Sequence, residues 1–220
     1  MVGVFKSRGR LPDGFMRWEA IGLPTTKRAG LPVGHGPRLF VLQEWFMVAS
    51  ASSSADLAFG FLTACDASGV GTFGGYLLVD LSGRPLEFHC TAPVRVTRAQ
   101  QILYGASLQR HLHGEQIGGP LLKATALTPA AVLTDLDSLL HARSHGNSPV
   151  AVVREGAMVT ADDEASGVFA LGGVRVQPHD VDRSQAEQLQ THLAELAQSI
   201  ELVEPFARIR AAIDEAQQHS

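Results

Sequence analysis

Several things that would declare a function are scarce or missing from this sequence. It has two cysteines, Cys65 and Cys90, too few for a disulfide framework and spaced unlike CxxC or any other metal-ligand pattern. Both are read as reduced thiols. No apolar run approaches the roughly 18 residues of a membrane span, and the opening MVGVFKSRGRLPDG lacks the apolar core of a secretory signal. A cytoplasmic protein without membrane contact is the expectation. A Walker-type phosphate loop, a dinucleotide fingerprint after a strand and a GxSxG elbow are all absent. Only three of the 18 cationic side chains are lysines, an arginine bias usual in proteins of GC-rich bacterial genomes.

What is present describes a globular chain. The 220 residues are 45% hydrophobic and 18% charged, and a fold of this size removes about 70% of its unfolded surface from water, so a core needs no staples. The net charge of −4 is unevenly spread: residues 1–38 carry +5 and the remainder −9. A basic arm therefore precedes an acidic body, an asymmetry that suits nucleic acid, the chain's own body or a neighbouring subunit. The arm is dense in Gly and Pro and shows neither helical nor strand periodicity, which predicts an extended segment. Phe15, Met16 and Trp18 set it apart from a solvated tail and predict anchors that dock on a surface.

Beyond the arm the pattern predicts an α+β fold. LFVLQEWFMVASASSS opens as a buried strand; DLAFGFLTACD, YLLVD and PLEFHCT, separated by the turns ASGVGTFGG and LSGR, read as an antiparallel meander. Thr97 and Gln100 match a capping box. The following helical portion should run between Arg98 and Thr125, with Ile102, Leu103, Leu108 and Leu112 on its apolar face and breaks at Gly105 and at Gly118–Pro120. AVLTD, DSLLHAR and PVAVVRE form an adjoining strand-helix-strand unit, and VFALGGVRVQ a strand or hairpin. From Asp182, apolar residues recur every three or four positions through Leu189, Leu193 and Leu196 to Ile213, with Pro205 starting a second helix or kinking the first. This amphipathic C-terminal segment packs on the core or on a partner. Three parts follow: an arm at 1–38, an α+β core domain at 39–181, flanked by helices, and a helical segment at 182–220.

Candidate chemistry depends on side chains that the fold could bring together. Neighbours on a strand face opposite ways, so Leu86, Phe88 and Cys90 should share the core face and Glu87, His89 and Thr91 the other. His89 then cannot activate Cys90. Histidines at 111, 141 and 145 and the pair Asp135 and Asp137 are the possible metal ligands, although Asp137 also suits an N-cap and HARSH a helix end. Arg95 and Arg98 lie where the dipole disfavours cations; with Thr97 they form a candidate anion-binding site for phosphate or carboxylate.

The favoured function is a non-enzymatic binding or assembly subunit of a bacterial multiprotein complex, with no cofactor and no assigned catalytic or metal residue. Its expected contacts are a protein partner or a second copy, met through the arm (Phe15, Met16, Trp18) and the C-terminal helices (Leu189, Leu193, Leu196), with an anion held at Arg95, Thr97 and Arg98. The alternatives are a metal-dependent hydrolase or nuclease using Asp135, Asp137 and a histidine, and a nucleic-acid-binding protein using the basic arm.

Overall fold

A computed structural model describes residues 57–67 and 69–217, and the backbone alone of residues 4–10, 16–21, 39–41 and 218. The fold is α+β, built on a mixed sheet. Its meander is β4 (Phe59–Ala67), β5 (Gly71–Val79) and β6 (Pro85–Thr91), all antiparallel neighbours. The sheet continues from β4 through β7 (Ala131–Thr134) and β8 (Val150–Glu155), which run parallel to it. It ends in the hairpin of β9 (Phe169–Leu171) and β10 (Val174–Pro178), turned at Gly172 and Gly173. On the opposite edge β3 (Leu39–Val41) pairs with β6; the rest of the LFVLQEWFMVASASSS run lies outside the described residues.

Part of the basic arm, read from its composition as an extended segment, is paired as strand. β1 (Val4–Arg10) and β2 (Met16–Ile21) pair antiparallel, with Val4 opposite Ile21 and Ser7 opposite Trp18. The residues between them, Leu11-Pro12-Asp13-Gly14-Phe15, include turn-forming types. Phe15 falls outside the described residues, as do the side chains of Met16 and Trp18.

Both faces of the sheet are covered, so its central strands read as continuous apolar runs and not as alternating ones. One face carries Phe59, Phe61, Leu77, Val79, Leu133 and Val153. Two helices close over it, α5 (Ala186–Leu196) and α6 (Glu204–Gln218). Phe206 meets Phe61 edge to face with ring centroids 5.5 Å apart, and Pro205 sits in the first turn of α6, where its missing N–H is not needed. The apolar stripe predicted from Leu189 to Ile213 is therefore real, but it belongs to the chain's own core. Leu189, Leu193 and Leu196 are buried against the sheet and unavailable to a partner in the folded protein.

The other face carries Leu62, Tyr76, Leu78, Val132 and Val150 under Leu112, Ile117 and Leu121. These last belong to a helix that runs from Leu108 to Ala124, in which α2 (Leu108–Arg110) and α3 (Gly119–Ala124) flank a π-helical stretch at His111–Gly118; the short α4 (Ala161–Ala165) precedes β9. The break predicted at Gly118–Pro120 does not occur. The Gly119 N–H reaches back to the Gly114 carbonyl, one residue further than in an α-helix, and Pro120 opens a fresh α turn at its start. Beside it lies the crossover between β7 and β8, a 3₁₀ helix over Asp137–His145. Asp137 was a candidate N-cap; the cap position is Leu136, and the Asp137 carboxylate pairs with Arg154 instead.

The Gly-rich turn is shorter than its composition suggests. Gly74 and Gly75 lie inside β5, not in the hairpin loop. A Cβ on Gly74 would stand 2.1 Å from Ile117, and one on Gly75 2.2 Å from Ile209. The two glycines thus let helices press on β5 from opposite faces. The next turn is held by Asp80, whose carboxylate accepts from the Ser82 and Arg84 N–H groups at 2.9 and 3.0 Å. No helix among the described residues is long and apolar enough to cross a membrane.

Candidate functional site

Strand β6 decides the question of a cysteine nucleophile. Phe88 and Cys90 face the α5/α6 side, while His89 pairs across the strand with Tyr76 on the other. The alternation holds from Glu87 to Thr91 and fails at Leu86. A register shift between Leu78 and Val79 turns Leu86 to the same side as Tyr76, where the expected pattern had placed it with Phe88 and Cys90. The second face is also a core, so His89 is buried rather than turned to water, with Nε2 2.9 Å from the Glu87 carboxylate.

Burial pushes the Cys90 thiol up to about 12, with a smaller contribution from Cys65. Burial, then Asp214, raises Cys65 as well, against the pull of Arg210. Neither sulfur is primed as a thiolate. Iodoacetamide at neutral pH is expected to modify Cys90 in unfolded but not in native protein, as mass spectrometry of the alkylated peptides would record. Rapid native labelling of Cys90 would contradict the packing described here.

The carboxylates proposed as metal ligands are held by arginines. Asp135, at the carboxyl end of β7, accepts from the Thr63 hydroxyl at 2.7 Å and pairs with Arg210 of α6. This clip between the interior strands of the sheet and α6 is not legible in the sequence, because its members are 72 and 75 positions apart. The histidines are dispersed. His111 stacks on Tyr104 at 4.3 Å and contacts Glu115 and Gln116; the His145 ring lies over Gly119. Burial, with Arg110 and His179, lowers the pKa of His141. Among the described residues, no group of three or more His, Cys, Asp or Glu side chains is placed to hold a metal ion.

The joint after β6 is built differently. Helix α1 (Arg98–Tyr104) starts at Thr97 with both halves of the capping box formed: the Thr97 hydroxyl accepts from the Gln100 N–H, and the Gln100 side chain accepts from the Thr97 N–H at 2.8 Å. Arg95, Thr97 and Arg98 are all exposed. They do not converge on one point: Arg95 donates Nε to the Val70 carbonyl at 2.7 Å, and Arg98 reaches Gln101 at 3.2 Å. Thr97 is occupied by its cap. The three side chains rim a surface and form no enclosed anion pocket.

That surface is apolar at its centre. Helix α1 buries none of its residues; Ile102 is 67% exposed and Leu103 82%. The spacing predicts one apolar face of Ile102, Leu103, Leu108 and Leu112; Leu112 is buried, whereas Ile102 and Leu103 face solvent. Gly105 is the reason. With φ +49° and ψ −124° it adopts a backbone conformation open to glycine, and the helix that resumes at Leu108 has a new direction for its faces. A seven-residue helix broken by glycine was the signal that could have revealed this.

No protein family model matches this chain, and no curated protein resembles it at a significant level. The functional reading therefore rests on the chemistry of its own surfaces. From Phe88 to Gly114 the sequence carries Arg95, Arg98 and Arg110 and no Asp or Glu. On a body of net charge −9 beyond residue 38, this is a local basic exception around an exposed aliphatic pair.

Proposed function

We propose that this chain is a non-enzymatic binding subunit of a bacterial cytoplasmic complex, and that it docks a protein partner on α1 and the loop entering it. The observation that carries the reading is the exposure of Ile102 and Leu103 on a helix that buries nothing. Covering two such side chains contributes about 1.5–3 kcal/mol each, and a helix this short gains most of its stability from what it packs against. Arg95, Arg98 and Arg110 around the pair suit a partner segment with apolar anchors flanked by carboxylates, the polar rim steering and orienting the encounter. The partner meets this helix rather than the C-terminal stripe, which is occupied by the sheet. Ile102 and Leu103 offer no stacking platform for bases, and the exposed Tyr104 ring of the same helix is already stacked on His111, which favours protein over nucleic acid.

A photo-cross-linking residue in place of Leu103 in cells identifies what touches the helix. The expected product is a single protein joined through an acidic, apolar segment. Affinity for the purified partner should fall at least 30-fold in Ile102→Asp/Leu103→Asp, consistent with the loss of one hot spot, and the melting temperature should stay within about 2 °C because both sites are exposed. Cross-links only to nucleic acid or to a second copy, or unchanged partner affinity in the double variant, would overturn the proposal.

A further inference from the structure

One end of the sheet has no further strand among the described residues: β9 is last in the order, and its pairing is with β10. The two-residue turn at Gly172-Gly173 makes Leu171 and Val174 a hydrogen-bonded pair, so the backbone N–H and C=O of Ala170 point away from β10. Val168 has the same parity as Ala170, and its N–H does turn from the ladder, to the Asp163 carbonyl at 2.9 Å. Ala170 is exposed, and its outward N–H and C=O have no partner among the described residues. Sheet edges are commonly guarded by lysine, proline or a bulge. β9 reads Phe-Ala-Leu, pairs in regular register and has none of these.

Elements on both faces of the sheet line a groove of about 600 Å³ along this edge. Phe169 packs on the α5 side, where Ala186 and Glu187 form one wall. Ala170 faces the other way, as does Arg175 opposite it, which pairs with Asp163 of α4. On that side Val159 and Glu164 form the second wall, and Met158 next to it is 86% exposed. Each wall thus carries one exposed carboxylate, Glu187 or Glu164, with no ion-pair partner among the described residues, and the lining includes no Lys, Arg or His. From Glu155 to Val174 the sequence holds four carboxylates and not one cation.

We propose that this groove receives an extended, basic segment of a protein partner, which joins the sheet as a strand beside β9. Main-chain bonds to Ala170 fix its register, its side chains alternate between the two walls, and lysine or arginine meets Glu164 and Glu187. A second copy paired through its own β9 would bring the same carboxylates together, which disfavours a homodimer here. β6, from which α1 follows, stands near the opposite end of the sheet, and the groove does not depend on the role assigned to α1.

The test uses the full chain and two fluorescein-labelled probes, Val-Lys-Val-Lys-Val and Val-Glu-Val-Glu-Val. Fluorescence polarisation should show saturable binding of the lysine peptide, weakened by salt, and affinity for the glutamate peptide at least tenfold lower. Ala170→Pro removes the outward N–H at a position where an edge strand tolerates proline, so peptide affinity should fall about tenfold while the melting temperature stays within about 2 °C. Glu164→Gln/Glu187→Gln, changed only at exposed side chains, should lose about tenfold as well, whatever strain the proline introduces. Amide exchange at Ala170, followed by NMR, should slow when the lysine peptide saturates the protein. Equal affinity for the two peptides, no saturable binding of the lysine peptide, unchanged affinity in the glutamine variant, unaltered exchange at Ala170, or a homodimer closed through β9 would each overturn the proposal.

Discussion

Asp182→Ala should lower the stability of this protein by about 3–5 kcal/mol, the range for removing one partner of a buried ion pair. Asp182 is fully buried, and its carboxylate accepts both contacts from Arg143 Nε, at 2.9 and 2.8 Å, and the Val150 N–H at 3.1 Å. Arg143 also donates to the Gly146 carbonyl at 2.7 Å. One carboxylate thus ties the 3₁₀ crossover, the start of β8 and the 3₁₀ turn of Asp180–Gln185 that leads into α5. Alanine leaves a guanidinium that is 19% exposed and a buried N–H without their acceptor. Urea denaturation should show a lower midpoint with an unchanged slope. The double replacement Arg143→Leu/Asp182→Leu should be less destabilised than Asp182→Ala, because it removes the stranded charge as well. A loss below 1 kcal/mol for Asp182→Ala would mean that the three elements are held by other contacts.

Gly75→Val is expected to cost about 1–3 kcal/mol or more by overpacking. Valine favours strands by up to about 1 kcal/mol, so strand propensity alone predicts stabilisation. The geometry opposes it: the new Cβ would meet Ile209 at 2.2 Å and Ile213 at 3.0 Å. The first of these contacts is with a branch methyl at Ile209 Cβ, which cannot swing aside without moving α6. The clash outweighs the propensity. Relief by Ile209→Ala provides the check: the double variant should be more stable than the sum of the single losses by about 1–3 kcal/mol, the coupling typical of residues in contact. Additive losses would place α6 elsewhere.

These two sites mark the limit of what local pattern reveals. The meander was legible because turn residues separate three β-rich runs, and the capping box was legible because Thr97 and Gln100 satisfy each other within one turn. The β9–β10 hairpin announced itself through Gly172-Gly173, and the C-terminal helices through their three-four spacing. Gly74 and Gly75 misled because glycine is common in turns, and nothing near them in sequence indicates that the helices carrying Ile117 and Ile209, 43 and 134 residues further along, will press on opposite sides of that strand. The Leu189–Leu196 stripe had the right period, but periodicity states that a face is apolar and does not state what covers it.

The chain by itself determined its local elements, the separation of Cys90 from His89, and the charge asymmetry, because these depend on backbone sterics, strand parity and composition over a few residues. Tertiary structure alone decided that the C-terminal stripe is core and Ile102 and Leu103 are surface, that Asp135 meets Arg210, and that Asp182 meets Arg143. Each of these is a meeting of side chains far apart in sequence, set by which helix covers which face of the sheet.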